Sequence, residues 1–375
     1  MACEITACGE CFRKTGGASP IARAKVAIAS VWDGGKSYEC AIPLWCQSAT
    51  RISRVIRSSE LLLLTPKRTS HCAHAVQLFA QHTDGAAQAY LSRIGGRGLL
   101  QGFSTANLLK FALFSLTRYE LLLYADLDID LAFPRMLTAA AWDEATAALL
   151  ATKALFVGLF DHASPVNGGL WLARPRCWLY AEAMRVLRHG TWSAKRGFDS
   201  IGTPHQIGAN RTWLRPVLDA IAAGSGASLF KVEGTLNYTQ YFRWNRWDFV
   251  NGHLDQGMLW YLFFVRNTVG TWSHYVGPLR GKWAVDHFWG SPKPWQGDSS
   301  HTSRNYWHRL DSEYQPVQDL FNAQTEQRCT RQKPPSRESG SRGSGWKTVV
   351  GPLPHPQQIR HFGSTGFAVE RLPSD

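Results

Sequence analysis

The chain has 375 residues, 44% of them hydrophobic and 12% aromatic, which suffices for one large or two small packed domains and excludes a low-complexity class for its bulk. A formal net charge of +13 favours acidic partners, but lysines and arginines are scattered rather than banded, so a nucleoside diphosphate or anionic polymer suits the charge as well as nucleic acid does. No stretch approaches the roughly 20 apolar residues of a membrane span, and the N-terminus lacks an apolar signal core. The expectation is a soluble cytoplasmic protein without an integral membrane segment, or a Golgi one if a native N-terminal anchor is missing from this chain.

Residues 1–24 hold few large apolar side chains and read as a mobile arm. The eight cysteines follow no regular framework, which predicts reduced thiols in a cytosol-like compartment. Cys8-Gly-Glu-Cys11 is a CxxC without a second pair at zinc spacing, so mobile thiols are expected there rather than a metal. "KVAIASV" (25–31) reads as a first strand and "CAIPLWCQSATRI" (40–52) as a helix that places Pro43 in its first turn. "SELLLLTP" (59–66) reads as a second parallel strand, giving the strand, helix, strand opening of a nucleotide-binding α/β unit.

The glycine-rich "SRIGGRGLLQGFS" lacks the spacing of a phosphate cradle and is expected to be a loop. "TANLLKFALFSLTRY" (105–119) has one apolar face and reads as a helix. It feeds into "LLLYADLDIDLAF" (121–133), where four large apolar residues precede Asp126, Asp128 and Asp130. In an extended chain these acids share one side while Leu127, Ile129 and Leu131 share the other. Three like charges at the carboxyl end of a buried strand call for a cation, at the place where open α/β sheets bind ligands. A solvated strand end that uses aspartate as a turn former is the competing reading.

Farther along, "VNGGLWLARP" passes from a polar glycine turn into an apolar strand, where Asn167 offers a donor and an acceptor and the glycines admit close backbone approach. "CWLYAEAMRVLRHG" reads as a helix, and residues 190–250, rich in Trp, Gly, Arg and Tyr, read as an insert. Its aromatic run "YTQYFRWNRWDF" suits either stacking on sugar rings or packing onto the core. "GHLDQGMLWYLFF" puts Asp255 and Gln256 at the head of an apolar helix, with Asp255 a candidate N-cap. "VDHFWGSPKPW" (285–295) supplies an imidazole, a glycine and a lysine; taken alone, each of these residues has an ordinary structural explanation. From about residue 324 the composition turns to that of a disordered basic tail.

Taken in order, these stretches match one family. "Lys110-x6-Leu-Thr-Arg-Tyr119" running into "Tyr124-Ala-Asp126-Leu-Asp128", then "Asn167-Gly168-Gly169-Leu", "Asp255-Gln256-Gly257-Met" and "His287-Phe-Trp-Gly290-Ser-Pro-Lys293" make residues 25–296 resemble the glycogenin-like retaining glycosyltransferases of family 8. The resemblance implies an α/β fold of GT-A type, a Rossmann-like nucleotide-binding mixed sheet flanked by helices, across residues 25–323.

It further implies hexosyl transfer from a UDP-sugar, UDP-glucose or UDP-galactose, with Mn²⁺ or Mg²⁺ held by Asp126, Asp128 and His287. Tyr38 would lie against the uracil. Lys110, Asn167, Asp255 and Gln256 would surround the donor sugar, Gly168 and Gly169 would belong to the same donor-binding set, and Gly290 and Lys293 would contact the pyrophosphate. Asp255 and Gln256 would stand nearest the anomeric carbon, with Lys293 stabilising the leaving group. The acceptor is open among a glycan, a protein and a polyol, a homodimer is allowed, and nucleic acid is disfavoured as a partner.

The chain departs from the family pattern at Gly252-His253-Leu254, where glycogenins carry Asp-Gly-Gly, and in its insert. Self-glycosylation therefore does not carry over. The rival from another class is a catalytically silent sugar-nucleotide-binding scaffold on the same fold.

Overall fold

The computed structural model describes residues 3–19, 24–94, 105–152, 155–158, 166–201, 247, 251–266, 271–273 and 284–287. Strands β1 (Glu4–Ile5), β2 (Cys11–Gly17) and β3 (Val26–Val31) lead into the short helix α1 (Lys36–Glu39) and then α2 (Ala41–Val55). Strands β4 (Ser59–Leu64) and β5 (Val76–Ala80) are followed by α3 (Gln81–Ile94). Helix α4 (Ala106–Leu109) tightens into a 3₁₀ segment, Lys110–Ser115, before β6 (Leu121–Ala125), β7 (Ile129–Arg135) and α5 (Ala139–Thr152). Strands β8 (Phe156–Gly158) and β9 (Leu170–Ala173), helix α6 (Cys177–His189), the ribbon β10 (Trp192–Ser193) with β11 (Gly197–Phe198), and helix α7 (Asp255–Trp260) complete the larger elements. Strands β12 (Thr271–Ser273) and β13 (Ala284–His287) come last.

Nine of these strands form one mixed sheet in the order β1-β2-β5-β4-β3-β6-β9-β8-β12. Its centre, β5-β4-β3-β6, is parallel, whereas β9 runs antiparallel to both β6 and β8. The central strands are apolar on both sides because both sides are covered. Ala27, Ala29, Leu62, Leu64, Leu122 and Tyr124 face a core shared with α3, the 3₁₀ segment, α6 and α7. The alternate residues Val26, Ile28, Leu61, Leu63, Leu121 and Leu123 face a core shared with α2 and α5.

The expected opening unit is present as β3-α2-β4, and Pro43 sits in the first turn of α2, where a missing N–H costs nothing. From β3 the chain crosses through α2 to β4 on one side, while β6 lies on the other, in register Ala27↔Leu122 and Ala29↔Tyr124. The carboxyl ends of β3 and β6 therefore open a crevice at a topological switch point, where α/β sheets bind ligands.

Two sequence expectations are overturned at the N-terminus. Residues 3–17 are ordered: β2 pairs antiparallel with β5, and Cys11 and Phe12 are buried. The fully buried carboxylate of Glu10 accepts hydrogen bonds from the backbone N–H groups of Cys11 (2.9 Å), His82 (2.9 Å) and Thr83 (3.1 Å) and from the hydroxyls of Tyr180 (2.8 Å) and Thr83. A residue from the expected arm thus satisfies two of the open donors in the first turn of α3. The thiols are paired rather than reduced, in bridges Cys3–Cys11, Cys8–Cys177 and Cys46–Cys72, so the two cysteines of the CxxC go to different partners.

The glycine-rich stretch at 95–104, nearly all of the 202–250 part of the insert and the tail from 324 lie outside the described residues. One insert residue, Trp247, is fully buried with its ring edge-on to Phe198 at 5.9 Å, so this aromatic serves core packing. Among the described residues no helix is long and apolar enough to cross a membrane.

Candidate active site

Five pieces of chain meet at the carboxyl end of β6: the aspartate run, β13, the 167–169 turn, the 3₁₀ segment and the head of α7. The aspartate run does not continue as one strand: β6 stops at Ala125, and a turn closed by the Ile129 N–H on the Asp126 carbonyl (3.1 Å) intervenes before β7. The alternation still governs burial. Leu127, Ile129 and Leu131 enter the α2/α5 core, while Asp126 stays about a third exposed and Asp128 and Asp130 are nearly covered. Strand β13 pairs with β7 in register Asp286↔Asp130 and His287↔Ile129, which sets the imidazole Nε2 of His287 3.5 Å from Asp128 Oδ1.

One ligand atom from each of Asp126, Asp128 and His287 lies within 4.8 Å of the others, a spacing that fits a single divalent cation. The three residues assigned from sequence to a metal are thus brought together. Asp130, on the same side in sequence, accepts the Ala132 N–H at 3.0 Å, a local contact that fixes the start of β7.

The Asn167-Gly168-Gly169 turn is held against this group. The Asp126 N–H donates to the Gly169 carbonyl (2.7 Å), and the Gly169 N–H donates to Asn167 Oδ1 (2.6 Å). Neither glycine can be replaced without movement. A Cβ on Gly168 would stand 2.1 Å from Asp255 Oδ2, and one on Gly169 would stand 2.9 Å from His287 Cε1 and 3.0 Å from Asp126 Oδ2.

Lys110, expected beside the donor sugar, is fully buried at the head of the 3₁₀ segment. Its ammonium donates to Asp255 Oδ2 (2.6 Å), the Gly168 carbonyl (2.9 Å) and Asp126 Oδ1 (3.4 Å), and lies 4.7 Å from the centre of the Tyr124 ring. Burial, the largest single influence, works against the charged ammonium. Asp126 and Asp255 together outweigh it, leaving Lys110 above its ordinary value.

For Asp126 the order is similar: burial raises its carboxyl above the ordinary range, Lys110 opposes this, and Asp128 and Asp255 add to it. One lysine thus faces three carboxylates, a deficit of positive charge that a cation would fill.

Asp255 does not cap α7 as expected. Leu254 holds the N-cap position, and Asp255 is the first helical residue, its Oδ2 turned to Lys110. Its Oδ1 is buried without a hydrogen-bond partner among the described residues. A carboxylate oxygen left bare at that depth is costly unless a ligand donor completes it. Neighbouring Gln256 is likewise buried. Gly257 admits the Gly252 carbonyl, which would meet a Cβ at 1.7 Å, and this contact folds the 251–254 turn onto α7.

His253, in the stretch that departs from the family pattern, has its ring 5.4 Å from that of Trp192, and its carbonyl accepts the Tyr90 hydroxyl at 2.8 Å. Burial lowers the tendency of His253 to protonate, with Asp255 opposing.

Tyr38, on α1 just beyond β3, has a phenol held far above its usual range by burial first, then by Asp128, Asp126 and Asp33. It therefore stays a neutral hydroxyl facing the acids. Gly290 and Lys293 lie outside the described residues. Sequence reasoning gave no role to Tyr124, whose hydroxyl donates to Asp126 Oδ1 and whose ring underlies Lys110. The signal was available, since Tyr124 stands two residues before Asp126 and shares its side of an extended chain.

No protein-family model and no curated protein matches the chain. Among solved structures it is similar to the galactosyltransferase LgtC in complex with donor and acceptor sugar analogs, at 12% identity over 77% of this chain and 99% of that one, with a TM-score of 0.38. It is also similar to an active-site mutant of LgtC (11% identity, 77% and 99% covered, TM-score 0.36) and to the WbbM bifunctional glycosyltransferase in its apo form (11%, 82% and 53%, TM-score 0.36).

Proposed function

We propose that the protein is a retaining glycosyltransferase of GT-A type that moves a hexosyl group from a UDP-sugar, UDP-glucose or UDP-galactose, to a glycan, protein or polyol acceptor. The observation that carries this reading is the convergence of Asp126, Asp128 and His287 on one cation-sized position beside the buried Lys110–Asp255 pair. Oxygen ligands with one imidazole favour Mn²⁺ or Mg²⁺. Such an ion, when bound, neutralises charge on the diphosphate as the nucleotide leaves.

The chain's own residues divide the remaining work. Tyr38 lies against the nucleobase side of the crevice. Gly290 and Lys293 hold the pyrophosphate. Lys110 fixes Asp255 so that its bare Oδ1 receives a donor-sugar hydroxyl, which sets which sugar is accepted. Because Oδ2 is already engaged by Lys110, Asp255 serves better as an orienting group than as a nucleophile. This favours attack from the leaving-group face, the departing phosphate taking the proton of the incoming hydroxyl.

Disulfides persist in oxidising compartments, so the bridges favour a Golgi-like lumen over the cytoplasmic setting expected from sequence. The test is UDP release from a panel of UDP-sugars with Mn²⁺, Mg²⁺ or EDTA, comparing wild type with Asp128→Asn. Metal-dependent hydrolysis of one sugar that collapses in the variant supports the reading. Metal-dependent UDP binding with no turnover under any acceptor would replace it with the silent scaffold, and no UDP binding at all would remove the donor site.

A further inference from the structure

A second cluster of metal-ligating side chains lies away from the aspartates. Cys46, buried on α2, is bridged to Cys72, which is buried in the connection between β4 and β5. His74, two residues on and exposed, places its Nε2 3.4 Å from Cys46 Sγ and 2.7 Å from the Thr50 hydroxyl oxygen, one turn along α2. Thr50 directs its own proton to the Cys46 carbonyl at 2.6 Å, so its oxygen is free to accept from the imidazole. Among the described residues, Cys46–Cys72 is the one bridge with a third ligand in place to share a metal.

We propose that Cys46, Cys72 and His74 form a zinc site that is filled when the Cys46–Cys72 bond is reduced and emptied when the bond re-forms. The Cys46–His74 spacing supports this, and the two sulfurs must part from each other once their bond opens. Zn–S bonds of about 2.3 Å and Zn–N bonds of about 2.0–2.1 Å at a tetrahedral angle put sulfur and nitrogen about 3.5 Å apart. The observed separation of Cys46 Sγ and His74 Nε2 is 3.4 Å. The cluster also differs in kind from the first site: two thiolates select zinc, whereas the carboxylates of Asp126 and Asp128 suit a hard cation.

The chemistry balances with a dithiol reductant. The dithiol gives two electrons to the Cys46–Cys72 bond and leaves as its own disulfide, and the S–S bond opens to two thiols. Zn²⁺ then replaces the two thiol protons, which pass to solvent, and the imidazole gives up its Nε2–H bond to Thr50, takes a proton on Nδ1 from solvent as it releases the one on Nε2, and donates the Nε2 lone pair. Water takes the fourth position. Exchange with an oxidised disulfide carrier reverses the sequence and releases the ion. In either state the connection that carries Cys72 stays tied to α2, the helix that follows Tyr38.

The test uses the full chain. The protein is treated with graded dithiothreitol under native conditions, and the opened bridges are identified by alkylation and peptide mapping. Zinc per chain is then measured after desalting, with Co²⁺ as the spectroscopic probe of thiolate ligation. The expected result is one zinc more in the reduced chain than in the oxidised one, with thiolate-to-cobalt charge transfer. Affinity for both metals should fall by on the order of 100-fold in His74→Ala, an exposed change that leaves every cysteine in place, so that the extra zinc is lost on desalting.

No additional zinc on reduction would overturn the proposal. So would uptake that His74→Ala leaves unchanged, which would assign the metal to thiols from other bridges. Opening of Cys46–Cys72 only once circular dichroism shows the chain unfolding would overturn it as well.

Discussion

Lys110→Met probes the site at its deepest point. The substitution keeps the length and apolar stem of the side chain while deleting an ammonium that lies 2.6 Å from Asp255 Oδ2 and 3.4 Å from Asp126 Oδ1. At an effective dielectric of about 20 the closer pair alone amounts to about 6 kcal/mol of attraction. Desolvation of a fully buried ammonium offsets a large part of that, and removing one partner of a buried pair costs about 3–5 kcal/mol, because the remaining charge is left uncompensated. For a chain of 375 residues the expected fall in melting temperature is about 4–6 °C.

The informative comparison is the double variant Lys110→Met/Asp255→Asn, in which neither charge remains. If the pair is coupled as the distances indicate, the double variant recovers more than about half of the loss, since a buried polar pair replaced as a unit costs little. On the proposed function neither variant should release UDP, so stability and activity separate.

The pH dependence is fixed by sign. Lys110 sits above its ordinary value, so its contribution is full below about pH 10.4 and is lost only as the pH rises through the higher folded value. Lys110's own titration therefore adds no slope from pH 6 to 9, and any growth of the difference with rising pH reports Asp126, which loses the lysine that opposes its raised value. Thermal unfolding in EDTA across that range gives the answer. A single variant within about 1 kcal/mol of wild type, or a double variant no more stable than the weaker single one, would refute a coupled pair.

Three further outcomes follow from the same geometry. Mn²⁺ at about 100 times its dissociation constant should stabilise the wild-type chain by about 2.7 kcal/mol, and the shift should vanish in Asp128→Asn; a shift that persists would place the ion elsewhere. Gly168→Ala should cut UDP release at least 100-fold, because its Cβ needs space that Asp255 Oδ2 occupies at 2.1 Å, and turnover within about twofold of wild type would refute that contact. Glu10→Gln should destabilise by about 3 kcal/mol, since an amide must turn an NH₂ group toward donors that the carboxylate now accepts from; chemical denaturation measures it, and a loss below about 1 kcal/mol would remove Glu10 as the anchor of the N-terminal strands.

Much of the candidate site's geometry was legible because its residues are constrained by period and by size. Asp126 and Asp128 stand two apart after a run that only a buried strand explains, and Gly168 and Gly169 stand where a Cβ would collide with the acids. Lys110 was named only through resemblance. Its setting, a cation inside "NLLKFALF", was itself a signal that a buried charge must be paired.

The N-terminal strands were hidden for a different reason. Glu10 reads as a solvent residue until His82, Thr83 and Tyr180 converge on it, and these lie 70 or more positions away. Bridge pairing was equally closed to inspection, because eight cysteines allow about 105 connectivities and sequence spacing does not choose among them.

The arrangement also accounts for why the aspartate run breaks where it does. A continuous strand from Leu121 to Phe133 would space Asp126, Asp128 and Asp130 equally, about 7 Å apart along one side, with the third acid as near the second as the first. The turn closed by Ile129 N–H on the Asp126 carbonyl folds the first two acids together and hands the third to the backbone of Ala132. The new direction of β7 then lets β13 run alongside it and deliver His287. The same turn that ends the strand therefore brings the candidate ligands together, and Leu127, Ile129 and Leu131 keep it in place by remaining in the α2/α5 core.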